Sequence, residues 1–122
     1  MGTILFMISV VASIVLYPLG FIYSLLRLAT SMRFSMWSKR FDQILKSTAV
    51  SVDKTGNVFM QELFNDVMIK KIGYRFGQDD ETISSVLGKN KVAGTLTKFG
   101  RAMSCFLDRI DPNHVENSIK PK

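Results

Sequence analysis

Three consecutive acids, Asp79, Asp80 and Glu81, stand in the segment GYRFGQDDETISSVLGKN (residues 73–90) of a strongly basic chain. Carboxylates so close together could bind a divalent cation or transfer protons, but a cation requires further oxygen ligands around it. No complementary ligand set is visible elsewhere in the sequence. The acids therefore need to be considered together with the elements that would position them.

The apolar residues after the acids repeat at helical spacing, which predicts a short helix that begins near Asp79 or Asp80 and ends at Gly88. The apolar positions are Ile83, Val86 and Leu87. Asp is a preferred N-cap, and acids in a first turn interact with the helix dipole by about 0.3–1 kcal/mol each. We interpret the acids as a helix start, with a metal or acid–base role and contact with a basic partner as alternatives.

The chain has one histidine, His114, in the segment DPNHVENSIK. Asp111 as N-cap with Pro112 in the first helical position predicts another helix start. A lone histidine is not a catalytic pair, so we interpret His114 as structural or solvent-facing. The sequence offers no nucleophile–base pair, ligand cluster or cofactor fingerprint, and we expect neither enzymatic activity nor a cofactor.

The segment GKNKVAG (88–94) lacks the pattern of a phosphate-binding loop, and we interpret it as a connector. A helix is predicted over residues 96–110, with an apolar face of Leu96, Phe99, Met103, Phe106, Leu107 and Ile110. We expect this face to pack on the preceding short helix, with Phe59, Leu63 and Val67 as a third wall. The single cysteine, Cys105, cannot form an internal disulfide and is interpreted as a small buried residue.

The N-terminal segment carries no charged side chain before Arg27. Residues 4–26 would reach roughly 35 Å as a helix, enough to cross a hydrocarbon core of about 30 Å. A cleaved secretory signal would need a basic start and a shorter apolar core, and a buried soluble helix would be less uniform. The segment predicts a single transmembrane helix, in which Pro18 is tolerated as a kink.

Orientation is predicted from the basic residues that follow the span with no acid among them: Arg27, Arg33, Lys39 and Arg40. Positively charged flanks remain on the cytoplasmic side of a membrane. We therefore expect the N-terminus outside, the C-terminal part inside, and these four side chains near the membrane surface.

The predicted fold class is mostly α, a single N-terminal transmembrane helix followed by a small helical tail of three to five helices. Residues 1–28 form the transmembrane helix, 29–56 a juxtamembrane amphipathic helix, 57–119 a small α-helical domain and 120–122 a disordered end. The amphipathic helix, whose apolar stripe starts at Trp37 and Phe41, is expected either on the membrane surface or packed on the tail. Gly56 is expected to end or bend it.

Two motifs, FGQDDETIS followed by GKN and LTKFGRAMSCFLDRIDPNHV, resemble a group of small proteins encoded by bacteriophages and prophages. That group has G-x-P-D-E-T-[IL]-S and later L-x-x-I-D-P-G-H-C. In this chain Asp79 replaces the proline and Val115 replaces the cysteine, which removes any His–Cys pair. The resemblance implies a phage or prophage origin and supplies no catalytic residues. A structural or partner role is expected for the motif residues Asp80, Glu81, Thr82, Ser84, Asp111 and His114.

The expected function is that of a small membrane-associated interaction or lysis-accessory protein of the bacterial inner membrane. Its expected partners are the membrane and either another protein or a second copy of the chain. One alternative is a holin-like pore former, although the span has no charged residue to line a pore. Another is a membrane-tethered nucleic-acid-binding module, suggested by Lys89, Lys91, Lys98 and Arg101 in a stretch without acids, but without a recognised binding motif.

Overall fold

The computed structural model describes residues 1–31 and 34–121, and these residues form six α-helices. The helices are α1 (Gly2–Ser31), α2 (Phe34–Phe59), α3 (Gln61–Val67), α4 (Ile83–Ala93), α5 (Lys98–Ile110) and α6 (His114–Asn117). Contacts divide the chain into two compact units, Met1–Lys46 and Ser47–Lys122, called here the N-terminal unit and the C-terminal domain. The predicted class, mostly α with one long apolar helix at the N-terminus, is confirmed.

Helix α1 is long and apolar enough over Gly2–Thr30 to cross a membrane, and it is the one such helix among the described residues. Its large apolar side chains are exposed along its length, and none of its most apolar stretch is buried within the chain. The hydroxyls of Ser9 and Ser13 donate to the carbonyls of Phe6 and Ser9, so these polar groups are satisfied inside the helix. Pro18 lies within the helix, as predicted.

Helix α2 is longer than its sequence pattern predicts. Helix α2 continues through Gly56 to Phe59, so Gly56 does not end the amphipathic helix. In the N-terminal unit, Trp37 and Phe41 are half-buried and stacked, with their ring centroids 5.4 Å apart. Phe21 of α1 lies 6.0 Å from Phe41, so the apolar stripe meets an aromatic ring of the same unit.

The C-terminal domain has a small apolar core around α4, which packs against both α5 and α6. The buried apolar residues are Met68, Ile69, Phe76, Val86, Leu87, Leu96 and Val115. An isolated antiparallel bridge joins Ile69 to Leu96, and the Thr97 amide donates to the Met68 carbonyl at 2.9 Å. These bonds fix the end of α3 beside the start of α5.

The boundaries predicted for α4 were wrong at both ends. The helix begins at Ile83, and its N-cap is Thr82, whose hydroxyl accepts from the Ser85 amide at 3.1 Å. It continues through the segment 88–94 that we interpreted as a connector and ends at Gly94, which has a left-handed conformation. Gly88 lies inside the helix. A β-carbon at this position would lie 2.0 Å from the Val115 carbonyl oxygen, so the absence of a side chain permits the close approach of α6.

The start of α6 also differs from the prediction that Asp111 is an N-cap. Asp111 instead ends α5, and α6 begins at His114 after Asn113, which has φ 61°. Asparagine tolerates this left-handed conformation better than most residues, which permits the sharp reversal between the two helices.

The predicted packing of the α5 face was only partly right. Leu96 is buried, and Met103 and Leu107 pack on the core, but Phe99, Phe106 and Ile110 are 50%, 58% and 69% exposed. The expected third wall was wrong, since Phe59, Leu63 and Val67 are exposed as well. Met68, Ile69 and Phe76 occupy that side of the core instead. Cys105, expected to be buried, is exposed.

Candidate functional site

The two sequence motifs meet at one edge of the C-terminal domain. Ser84 in the first turn of α4 lies with its Oγ 3.2 Å from Nε2 of His114, the first residue of α6. The other ring nitrogen, Nδ1, lies 3.0 Å from Oδ2 of Asp111. Ser84, His114 and Asp111 therefore form a continuous hydrogen-bonded chain, a serine–histidine–aspartate arrangement that the sequence spacing did not indicate.

A fourth residue, Asp53 from α2, closes the other end of this chain. Its Oδ1 accepts from the Ile83 amide at 3.0 Å, and its Oδ2 lies 3.4 Å from the Ser84 hydroxyl. Asp53 thus holds an amide at the start of α4, where carboxylates interact favourably with the helix dipole. Four residues from three helices and a turn converge here, and we call Asp53, Ser84, Asp111 and His114 the polar edge.

The proton inventory of the polar edge limits its chemistry. The Ser84 hydroxyl has one proton, which it gives either to Asp53 or to His114. When Ser84 donates to Asp53, both ring nitrogens of His114 must donate, and the imidazolium form satisfies every contact. When His114 is neutral with its proton on Nδ1, Nε2 can accept the serine proton, as a general base would.

The acids of the opening segment are used separately, which corrects their interpretation as one helix start. Asp79 is exposed, and Asp80 pairs with Lys120 at the surface. The hydrogen bond from Lys120 lowers the pKa of Asp80, against a smaller opposing effect of burial. Glu81, by contrast, is buried, so the three carboxylates do not form one site.

Glu81 is the buried centre of a polar cluster beside α4. Its Oε1 accepts from the Tyr74 hydroxyl at 3.2 Å and from the ammonium of Lys89. The same ammonium lies 4.4 Å from the centroid of the Tyr74 ring. Burial disfavours the charged form of Lys89, but the Glu81 carboxylate and the Tyr74 side chain together outweigh this effect, and the pKa of Lys89 is raised. This pair is therefore a structural anchor between α4 and the preceding loop.

Three buried asparagines complete the polar framework of the domain. Asn57 donates to the carbonyls of Gln78 and Glu81, each at 2.9 Å. Asn65 bonds both the amide and the carbonyl of Phe76. The sequence analysis named none of the three as a site residue, although Asn90 lies in the GKN part of the first motif. The available signal was an amide residue within an otherwise apolar or helical stretch.

Asn90 is the most extensively bonded of these asparagines. Its side chain bonds both the amide and the carbonyl of Tyr74, at 2.8 and 2.7 Å. It also donates to the Val86 carbonyl and accepts from the Thr95 hydroxyl at 2.6 Å. One side chain therefore joins the loop before α4 to the turn after it.

The basic residues fall into two groups. Lys89 and Lys91 are engaged in ion pairs, Lys91 with Asp108 and Glu116 at 2.8 Å each. Lys98 and Arg101 on α5 are exposed. The stretch that suggested nucleic-acid binding is therefore not one continuous basic surface. Of the four residues expected near the membrane, Arg27, Lys39 and Arg40 are exposed, and Arg33 lies outside the described residues.

Metal binding receives no support in the part of the chain that the structure describes, where no group of three His, Cys, Asp or Glu side chains could hold an ion. A shallow depression of about 230 Å³ lies between α4 and α5, lined by Lys91, Gly94, Leu96, Arg101, Ser104 and Cys105. Among the described residues, the polar edge is the group of side chains whose geometry is compatible with a chemical reaction.

Comparison of the chain with protein-family models, curated proteins and solved structures found no match. The geometry of the chain itself therefore has to support any functional proposal.

Proposed function

We propose that the chain is a single-pass protein of the bacterial inner membrane, of phage or prophage origin, whose C-terminal domain binds another protein as an interaction or lysis-accessory module. The observation that carries this proposal is the exposure of the large apolar side chains along α1, whose most apolar stretch is not buried within the chain. A helix of this length and composition is stabilised when lipid surrounds it.

The orientation follows from the charges beside the span. Arg27, Lys39 and Arg40 are exposed, and no acid stands between residues 27 and 41. Basic flanks favour the cytoplasmic side, so the N-terminus lies outside and the C-terminal domain lies in the cytoplasm.

A binding role is favoured by how the polar residues are used. The motif acids and amides make bonds within the domain, whereas apolar side chains outside α5, among them Leu63 and Ile72, remain at its surface. Such a domain presents a rigid surface, and the motifs serve to build it.

The exposed Cys105, the single cysteine of the chain, tests the topology without any substitution. In spheroplasts, a membrane-impermeant maleimide should leave Cys105 unlabelled until the membrane is opened. A Thr3→Cys variant in a Cys105→Ser background should label at once. Labelling of Cys105 in intact spheroplasts would overturn the orientation, and recovery of the chain in the soluble fraction would overturn the span.

Photo-crosslinking from exposed Ile72 in native membranes tests the binding role. A discrete adduct with another protein supports it. Dye leakage from cells that express the chain, without an adduct, would favour the holin-like alternative. Enrichment of nucleic acid in the adduct would favour the nucleic-acid-binding alternative.

The Ser84–His114–Asp111 chain favours a second candidate function, hydrolysis of an ester. Ser84 Oγ would attack the carbonyl carbon while its proton passes to His114 Nε2 and then to the departing alkoxide. Water activated in the same way would release the acid and restore the serine. Ser84 is 6% exposed, however, and the Asp53 carboxylate competes for its proton, so the structural role is the better supported of the two.

A fluorophosphonate probe separates these roles. Covalent labelling of Ser84 in the full chain, abolished by Ser84→Ala and His114→Asn but retained in Ser85→Ala, would establish the hydrolytic role. The structural role predicts no labelling, together with faster amide exchange at the start of α4 in both Ser84→Ala and His114→Asn.

A further inference from the structure

Helix α5 leaves a line of large apolar side chains at the surface of the C-terminal domain. Phe99, Phe106 and Ile110 are all at least half exposed. At about 100° per residue they lie within roughly 40° of one another on the helix. We call these three residues the α5 stripe.

On one side of the α5 stripe, the adjacent face of the helix packs on the core of the domain. Gly100 approaches Met68 so closely that a β-carbon would lie 2.1 Å from the Met68 carbonyl oxygen. Further along the same side, Ser104 is buried and Leu107 packs on the core. The single acid of α5, Asp108, bonds Lys91 and the Val115 amide there, so its charge is turned away from the stripe.

The other side of the α5 stripe is basic. Lys98 and Arg109 are exposed and lie beside the stripe on the side away from the core, and α5 has no acid between them and the stripe. An exposed apolar line with a cationic flank is the pattern of a helix that lies in the interface of a membrane, with its aromatic residues among the acyl chains and its cations near phosphates.

We propose that the α5 stripe docks on the anionic lipid surface of a membrane, as a second membrane contact of the C-terminal domain. This inference rests on the proposed function, because α1 would tether the domain to the bilayer and hold its local lipid concentration high. A second copy fits less well, since an antiparallel two-fold contact over the stripe would bring the cationic flanks of both copies together, and a parallel one would leave both flanks without an anionic partner.

Native Cys105 is the reporter for this contact, because it is exposed and adjacent to Phe106. The full chain, labelled there with an environment-sensitive dye, is reconstituted in nanodiscs that contain doxyl-labelled lipid. One set of discs contains phosphatidylcholine alone and the other also contains phosphatidylglycerol. We expect a blue-shifted emission and strong doxyl quenching in the anionic discs, and at least a twofold weaker effect in the neutral ones.

Matched variants separate docking from loss of fold. Phe106→Glu should reduce the quenching to the level of the neutral discs, whereas Asn117→Glu, with the same charge change on exposed α6, should not. Amide exchange across α4 should be unchanged in both. A dye at Asn117→Cys in a Cys105→Ser background should remain unquenched, because α6 bonds the side of α5 away from the stripe.

The outcomes distinguish this inference from the proposed function. A chain that stays in the discs through gel filtration while Cys105 remains unquenched would contradict the docking and leave the span intact. A chain that leaves the discs would contradict both. A dye response that requires two copies per disc and does not change with anionic lipid would show an interface between copies and would overturn the inference. Full quenching in Phe106→Glu would overturn it as well.

Discussion

At the scale of single residues, the C-terminal domain is organised by buried amides. Asn90 makes four side-chain hydrogen bonds at a fully buried position, and two of them satisfy both backbone groups of Tyr74. Leaving one buried partner unsatisfied costs about 1–3 kcal/mol. Removal of such a side chain should therefore lower the free energy of unfolding by more than the loss of an ordinary loop contact.

We expect Asn90→Ala to lower the free energy of unfolding of the C-terminal domain by at least about 3 kcal/mol, because several buried groups lose their partners together. Asn117→Ala, an exposed asparagine on α6, should change it by under about 0.5 kcal/mol. Amide hydrogen exchange across α4, measured on the full chain in nanodiscs, provides both values. Equal exchange in the two variants would contradict the role assigned to Asn90.

At the scale of secondary-structure elements, the residue that caps α4 is Thr82, and the acids Asp79 and Asp80 precede it without capping the helix. Thr82→Ala should cost about 0.5–2 kcal/mol, because the Ser85 amide loses its acceptor. Asp80→Ala should cost little, because the pair that Asp80 forms with Lys120 is exposed. Exchange rates in the first turn of α4 check the ranking, and a larger loss in Asp80→Ala would restore our initial interpretation of the acids.

The contact between α4 and α6 depends on the absence of a side chain at position 88. Gly88→Ala would place a β-carbon 2.0 Å from the Val115 carbonyl oxygen and 2.7 Å from Ile119 Cγ1. Overpacking of this kind typically costs about 1–3 kcal/mol. Faster exchange of the Val115 and Ser118 amides should accompany it.

Gly94→Asn is the comparison for that variant, since asparagine tolerates the left-handed conformation at the end of α4 and no atom lies within 4 Å of its β-carbon position. It should cost less than Gly88→Ala. The reverse order would mean that α6 can move away from α4 without loss.

At the scale of the whole molecule, one ion-pair group joins α4, α5 and α6. Lys91 pairs with Asp108 and Glu116, and Asp108 also accepts from the Val115 amide at 3.2 Å. The hydrogen bond from Lys91 lowers the pKa of Asp108, against a smaller effect of burial, while both carboxylates raise the pKa of Lys91. Folding therefore favours the carboxylate form of Asp108 and the ammonium form of Lys91.

This group predicts how stability depends on acid. A carboxylate whose pKa is lowered by folding stabilises the native state above its unfolded-state pKa of about 3.9, and the contribution is lost as the pH falls through the folded value. Asp108→Asn should thus be less stable than the parent at pH 6, and the difference should shrink below about pH 4. Thermal melts of the two proteins from pH 2.5 to 7 measure it.

Asp42→Asn is the control for this experiment, because Asp42 forms an exposed pair with Lys46 one turn along α2. Exposed pairs contribute little to stability, so its melts should follow those of the parent at every pH. A difference between Asp108→Asn and the parent that does not change with pH would contradict the electrostatic origin.

The sequence predicted those features that arise from local patterns. The uncharged segment before Arg27 predicted α1, and helical spacing predicted α2, α4 and α5. The C-terminal end of α4 was mispredicted because Gly88 and Gly94 look alike in sequence, although one is a packing site and the other a left-handed end. Its start was mispredicted because the acids 79–80 and Thr82 are all residue types that cap helices. The exposure of Phe106 and the meeting of Ser84 with His114 depend on contacts across 30 residues, which periodicity cannot reveal.

The mixed character of the core has a thermodynamic consequence. Among the described residues, seven apolar and eight polar or charged residues are buried. Exposure of apolar surface raises the heat capacity of unfolding and exposure of polar surface lowers it. The C-terminal domain should therefore unfold with a heat-capacity change below the usual value of roughly 12–15 cal/mol/K per residue. Its stability curve would then be broad and flat, and its fold would be nearly as stable in a cold cell as in a warm one.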